Sequence, residues 1–184
     1  MKSCKWVIYQ GNSLNGRNAR ACRVRVCSAC RGAAPPNRHN RGVSKQKNKP
    51  RRPAAVTPAS PCPCGRAETY RDCCAPFHQG HATAPTAERL MRSRYSAFAV
   101  GDTGYLLRTW HPTTRPAGLD LEPAQRWTGL EILAATGGSA FHAEGTVEFR
   151  AHYSLHGQAD SQYEHSRFVR EGGQWVYLDA LPSA

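Results

Sequence analysis

Between residues 86 and 182 the apolar positions change their period once. Leu90, Met91, Tyr95 and Phe98 recur at helical spacing and define one apolar stripe, which leaves Arg89, Arg92 and Ser96 on the opposite, solvent side. Thr86 is the expected N-cap, Glu88 lies in the first turn where it favours the helix dipole, and Gly101 closes the helix. A second short helix is expected over 103–109, ended by His111-Pro112 because proline disfavours a helical residue before it. A third helical turn is expected over 119–126. From Trp127 the period becomes two, predicting strands over 128–136, 141–155, 162–170 and 175–181. Gly137-Gly138, His156-Gly157 and Glu171-Gly172-Gly173 supply the turns. In the long second strand Val147, Phe149, Ala151 and Tyr153 face one way, and Thr146, Glu148, Arg150 and His152 the other. Helices followed by a four-strand meander give an α+β fold, in which N-terminal helices pack on a curved antiparallel sheet.

The first sixty residues have no such pattern. Of the 25 basic residues, 14 precede residue 53, where there is no Asp or Glu; the remaining 132 residues carry 11 basic against 13 acidic, a net of −2. The overall charge of +12 therefore belongs to the head of the chain and not to its folded body. Residues 42–53 are charged and have almost nothing to bury, which predicts disorder. Association with nucleic acid through residues 17–52 is one reading of this segment, but no aromatic residue interleaves the basic run to stack on bases, so a solvated arm is the expectation. Cys27 and Cys30 form a lone C-x-x-C pair near Cys22 and Cys4, a weak metal signal. All five lysines (Lys2, Lys5, Lys45, Lys47, Lys49) precede residue 50. This abrupt shift in usage suggests that residues 1–55 come from a start placed too far upstream, with Val56 a candidate start. No window has the length of a membrane span, and the apolar run from Trp6 to Tyr9 is too short for a signal-peptide core, so a cytoplasmic chain with reduced thiols is expected.

The chemistry concentrates in residues 61–78. Cys62 and Cys64, eight intervening residues, then Cys73 and Cys74 place four thiols where they can close a tetrahedral shell around Zn²⁺. Pro63 stiffens the first pair, and Gly65 permits the tight backbone of a ligand loop. Such a zinc would be structural, because four thiolates leave no open position for an activated water. Two disulfides across the pairs are the alternative.

C-x-C-x₈-C-C with Tyr70 three residues before the third cysteine resembles the SEC-C motif, first known as the zinc-binding tail of the SecA translocation ATPase. Relatives continue after the Cys64-Gly65 equivalent with Ser-Gly and lysines, where this chain has Arg66-Ala67-Glu68-Thr69. The stretches Pro76 to His78, Ala84 to Glu88, Leu90 to Phe98 and Thr109 to Pro116 are similar to the YchJ family of small bacterial proteins. That resemblance covers roughly residues 61–182. It implies a SEC-C knuckle over 61–78, then a cone-shaped domain with the nuclear transport factor two-like fold over 79–184, behind a basic segment 1–60. It implies no established activity.

Within the cone, Arg92, Arg94, Tyr95, Trp110, His111 and Arg115 are the candidates to line a pocket, where arginine forks would suit a small anionic ligand. The structural alternative pairs Arg92 and Arg94 with sheet carboxylates such as Glu148 or Glu164 and places Trp110 in the core. Catalysis would need a titratable group beside a partner, with His111 next to Asp102 or Glu131 the candidate. No phosphate loop, nucleophile elbow or paired-carboxylate signature is present. The expected function is thus a zinc-bearing protein-interaction or adaptor module. An enzyme around His111, Trp110 and Arg94 is the alternative, and a homodimer across the sheet is the oligomer this fold class allows.

Overall fold

The computed structural model describes residues 55–182. The basic segment, with Cys4, Cys22, Cys27 and Cys30, lies outside the described residues. Two four-residue helices come first, α1 (Tyr70–Cys73) and α2 (Ala75–His78), joined through Cys74. The principal helix α3 spans Ala87–Val100. Its start is fixed by the Thr86 hydroxyl, which accepts from the Arg89 N–H at 3.1 Å, and its end by Gly101 at φ 78°, where a side chain would be strained. Helix α4 (Thr103–Arg108) is capped by Asp102, whose Oδ1 accepts from the Tyr105 N–H at 2.8 Å.

Four strands complete the domain: β1 (Gln125–Gly137), β2 (Glu144–Leu155), β3 (Gln158–Glu171) and β4 (Gln174–Ala180). They form one antiparallel sheet in the order β1-β2-β3-β4. Ile132 pairs with Phe149, Leu130 with Ala151 and Val147 with Ser166, so one face of the meander gathers apolar side chains. Helix α3 lies on that face in contact with β1, β2 and β4. Register shifts after Trp127 and Ile132 in β1, and at Arg167 in β3, bend the sheet around the helix. Leu90, Met91 and Tyr95 meet Phe149, Phe168 and Trp175 in the core.

Three expectations are corrected. Residues 119–126 form no helical turn: Pro116, Gly118 and Pro123 interrupt the segment, Leu119 is buried from an extended stretch, and β1 already begins at Gln125. The second strand begins at Glu144 and not at residue 141. Phe141 is 98% exposed at the tip of the preceding loop, held by Arg170, which donates to the carbonyls of Ala140, His142 and Gly173. Gly138 shapes this loop: at φ 70° it passes so close to α3 that an added Cβ would lie 2.6 Å from the Ala87 Cβ, while its carbonyl accepts the Ala87 N–H at 2.9 Å. Third, the polar side of α3 does not face solvent. Ser96 is fully buried, and Arg89 and Arg92 are half-buried, because the segment carrying α1 and α2 sits on them.

Candidate metal centre and the interior of the cone

The cysteine segment is shaped by its backbone. Pro61 and Thr69 form an antiparallel bridge, the Cys62 N–H donates to the Glu68 carbonyl at 3.1 Å, and the Gly65 N–H donates to the Cys62 carbonyl at 3.1 Å. Gly65 takes φ 81°, which lets the chain turn directly after Cys64 and close the turn back onto Cys62. The short α1 then presents Cys73 and Cys74 from its last turn. The four Sγ atoms all lie within 4.8 Å of one another and all four residues are buried. Cys64 and Cys73 are 3.6 Å apart and Cys73 and Cys74 3.9 Å, and all four cysteines are free of disulfides. A tetrahedral Zn²⁺ with bonds of about 2.3 Å requires sulfurs about 3.8 Å apart, so this donor set fits such an ion.

The electrostatics agree with the fit. Without a cation, four crowded thiols cannot all ionise. Hydrogen bonds from Cys64 and Cys74 hold Cys62 below the ordinary thiol range, while the same contacts push Cys64 and Cys74 above it. A divalent ion would replace the protons this set retains.

Helix α3 grips the segment through residues 89, 92, 93 and 96, one face at helical spacing. Arg89 Nη1 donates to Cys73 Sγ at 3.7 Å, Arg92 Nη1 to the Cys64 carbonyl at 2.9 Å, and Ser96 Oγ lies 3.6 Å from Cys62 Sγ. His78 Nε2 donates to the Ser93 carbonyl at 2.9 Å, which leaves His78 Nδ1 to accept from the Tyr70 hydroxyl at 2.7 Å. Arg108 adds a hydrogen bond to the His78 carbonyl. The loop of residues 66–69 is self-neutralised by an exposed Arg66–Glu68 pair at 2.8 Å.

The six pocket candidates separate. Only Arg94 and Trp110 line the small cavity in the cone, together with Met91, Phe98, Glu164, Ser166 and Tyr177; its volume is about 10 Å³, the space of one water. Arg94 is only 4% exposed. Its Nη1 donates to the Leu106 carbonyl and the Thr109 hydroxyl, both at 2.8 Å, and its guanidinium stacks 5.1 Å from the Trp110 ring and 4.8 Å from that of Tyr177. Burial brings its pKa down to about 10. Glu164 accepts from Ser166 Oγ at 2.5 Å and from the Tyr177 hydroxyl at 3.1 Å, on the same cavity wall. Trp110 Nε1 is buried without an acceptor among the described residues.

The other four lie elsewhere. Tyr95 is buried edge-on against Trp127, and burial pushes its hydroxyl up to about 12. Arg92 pairs with Glu88 at 2.7 Å on its own helix and not with the sheet. His111 hydrogen-bonds Thr113 at 2.7 Å and lies 3.6 Å from Glu171, while Arg115 is exposed. Neither proposed partner of His111 reaches it: Asp102 caps α4, and Glu131 pairs with His152 and Arg150 on the sheet. The larger cleft is elsewhere, an open groove of about 300 Å³ between Phe77, Tyr105, Arg108 and Trp175. Nothing in the periodicity pointed to it, since it forms where the cysteine segment meets α4 and β4.

Comparison with known proteins decides the family. Residues 60–76 match the SEC-C motif, and residues 86–180 match the family described as YchJ, middle NTF2-like domain. The chain belongs to the YchJ family. It is 63% identical over 122 residues to the UPF0225 protein SCO1677 of Streptomyces coelicolor, across 66% of this chain and 95% of that protein. It is 48% identical over 134 residues to a UPF0225 protein of Deinococcus radiodurans, across 72% and 98%. In three dimensions this YchJ-family chain is similar to a SEC-C motif containing protein from Rhodopseudomonas palustris, with TM-score 0.59, 31% identity, and coverage of 67% of this chain and 98% of that one. A SEC-C motif containing protein from Psychrobacter arcticus follows at TM-score 0.57 and 29% identity, covering 69% and 86%. No helix among the described residues is long and apolar enough to cross a membrane.

Proposed function

We propose that this protein is a zinc-dependent protein-interaction module. Zn²⁺ on Cys62, Cys64, Cys73 and Cys74 would set the fold of residues 61–78, since so short a segment cannot bury enough surface alone. The observation that carries the reading is the seating of this segment on the polar face of α3, by Arg89, Arg92, Ser93 and Ser96. With four thiolates the ion has no open position for chemistry, so its contribution is to build a surface. The cavity in the cone has the space of about one water, and Arg94, the cation among the described residues that line it, is committed to Leu106 and Thr109. What remains for recognition is the outside, where the metal-ordered Phe77 forms one wall of the 300 Å³ groove. The enzyme reading around His111, Trp110 and Arg94 finds no space for a substrate there. Affinity capture from the native host tests the proposal. The wild type is expected to retain a partner that both Cys73→Ser/Cys74→Ser and the groove-rim variant Ala82→Arg lose. Identical captured proteins from all three would overturn it.

A further inference from the structure

Two side chains that touch the thiols are supplied by α3 and not by the cysteine segment. A zinc tetrathiolate carries a net charge of −2, and burying it is costly unless the surroundings supply positive charge and hydrogen-bond donors. Arg89 places a guanidinium N–H 3.7 Å from Cys73 Sγ. Its position is fixed on both sides, by its backbone N–H bonded to the Thr86 cap and by its guanidinium 5.3 Å from the Phe77 ring. Ser96 is wholly buried and lies 3.6 Å from Cys62 Sγ. A helical serine ordinarily bonds back to its own helix or to water. Here the hydroxyl faces the Cys62 sulfur, and a metal-bound thiolate has no proton to give, so the serine hydroxyl must be the donor.

We propose that Arg89 and Ser96 are positioning residues of the metal centre, which draw electron density from the thiolates of Cys73 and Cys62 and so keep the ion slow to leave. The inference rests on the zinc reading above. Each N–H···S or O–H···S bond lowers the basicity of its sulfur, and so the ease with which a proton or an electrophile takes it from the metal. Loss of an outer partner of this kind typically costs about 10- to 100-fold in metal affinity.

The test uses the full zinc-loaded chain with Arg89→Met, Ser96→Ala and, as control, Arg71→Met, whose side chain is exposed and paired with Asp72. Zinc release to excess chelator is followed with a metal dye, and alkylated cysteines are mapped by mass spectrometry at partial release. Arg89→Met is expected to release zinc about 10-fold or more faster with Cys73 alkylated first, and Ser96→Ala to do so with Cys62 first, while Arg71→Met matches the wild type. A fold made globally looser would expose all four cysteines alike, which would contradict the proposal. Should Arg89→Met fail to fold, Arg89→Lys keeps the charge without the planar donor fork and is expected to fall between. One zinc per chain with unchanged release in both variants overturns this inference alone; no zinc in the wild type overturns the metal reading beneath it.

Discussion

Replacing Arg94 by methionine separates a structural arginine from one held ready for a ligand. Its Nη1 makes two hydrogen bonds at 2.8 Å, its guanidinium lies on two aromatic faces, and it supplies positive charge to the cavity wall that holds Glu164. Hydrogen bonds to a charged group contribute about 1.5–3 kcal/mol each, so losing the two to Leu106 and Thr109 costs about 3 kcal/mol or more. Methionine restores volume but neither donated hydrogen bond, so a loss of about 3–5 kcal/mol is expected. At roughly 3 °C per kcal/mol for a chain of this size the melting temperature should fall by about 10 °C. Urea unfolding at saturating zinc, followed by tryptophan fluorescence, measures it. The double variant Arg94→Met/Glu164→Leu should recover part of the loss, because no buried carboxylate then remains on the cavity wall without the positive charge of Arg94. A single variant within about 1 kcal/mol of the wild type would refute the structural assignment and return Arg94 to the binding candidates.

Phe149→Ala should cost about 3–5 kcal/mol in the same assay, since Phe149 is fully buried between sheet and helix; a cost under 1 kcal/mol would contradict the core. Phe141→Ser should change stability by less than about 0.5 kcal/mol, as its ring is 98% exposed. Gly138→Ala should destabilise clearly more than Gly172→Ala, because a Cβ at Gly138 meets Ala87 while one at Gly172 meets nothing; equal losses would refute the close approach. Burial holds the His78 pKa below the ordinary imidazole value. The unfolded chain therefore takes up this proton first, at about pH 6.5, and the group's contribution to stability declines as the pH falls below that. His78→Gln should flatten this decline between pH 7 and 5.5 in zinc-checked samples, and an unchanged slope would assign it elsewhere.

The apolar stripe of α3 and the alternation of the strands were legible because each follows from one period and one buried face. Thr86 and Gly101 mark the ends of α3 by local chemistry, and their geometry agrees, whereas Asp102, read as a partner of His111, instead caps α4. The failures share a cause. Arg89, Arg92 and Ser96 looked solvent-facing because a polar stripe opposite an apolar one usually is, yet here a second, cysteine-bearing layer covers it. Leu119 and Phe141 were assigned to elements by their neighbours' pattern, while proline and glycine nearby decided the backbone. Spacing singled out the four cysteines, and the fold brings their sulfurs within 4.8 Å of one another. Arg94 stood out as a charge, and only tertiary placement turned it into a core residue.

The most direct test of the account is the metal content of the full protein, purified without added metal, together with a count of reactive thiols before and after chelation. The account predicts one zinc per chain, and four further thiols, Cys62, Cys64, Cys73 and Cys74, becoming reactive as that zinc is removed. A metal-free protein with those four cysteines in disulfides would contradict it.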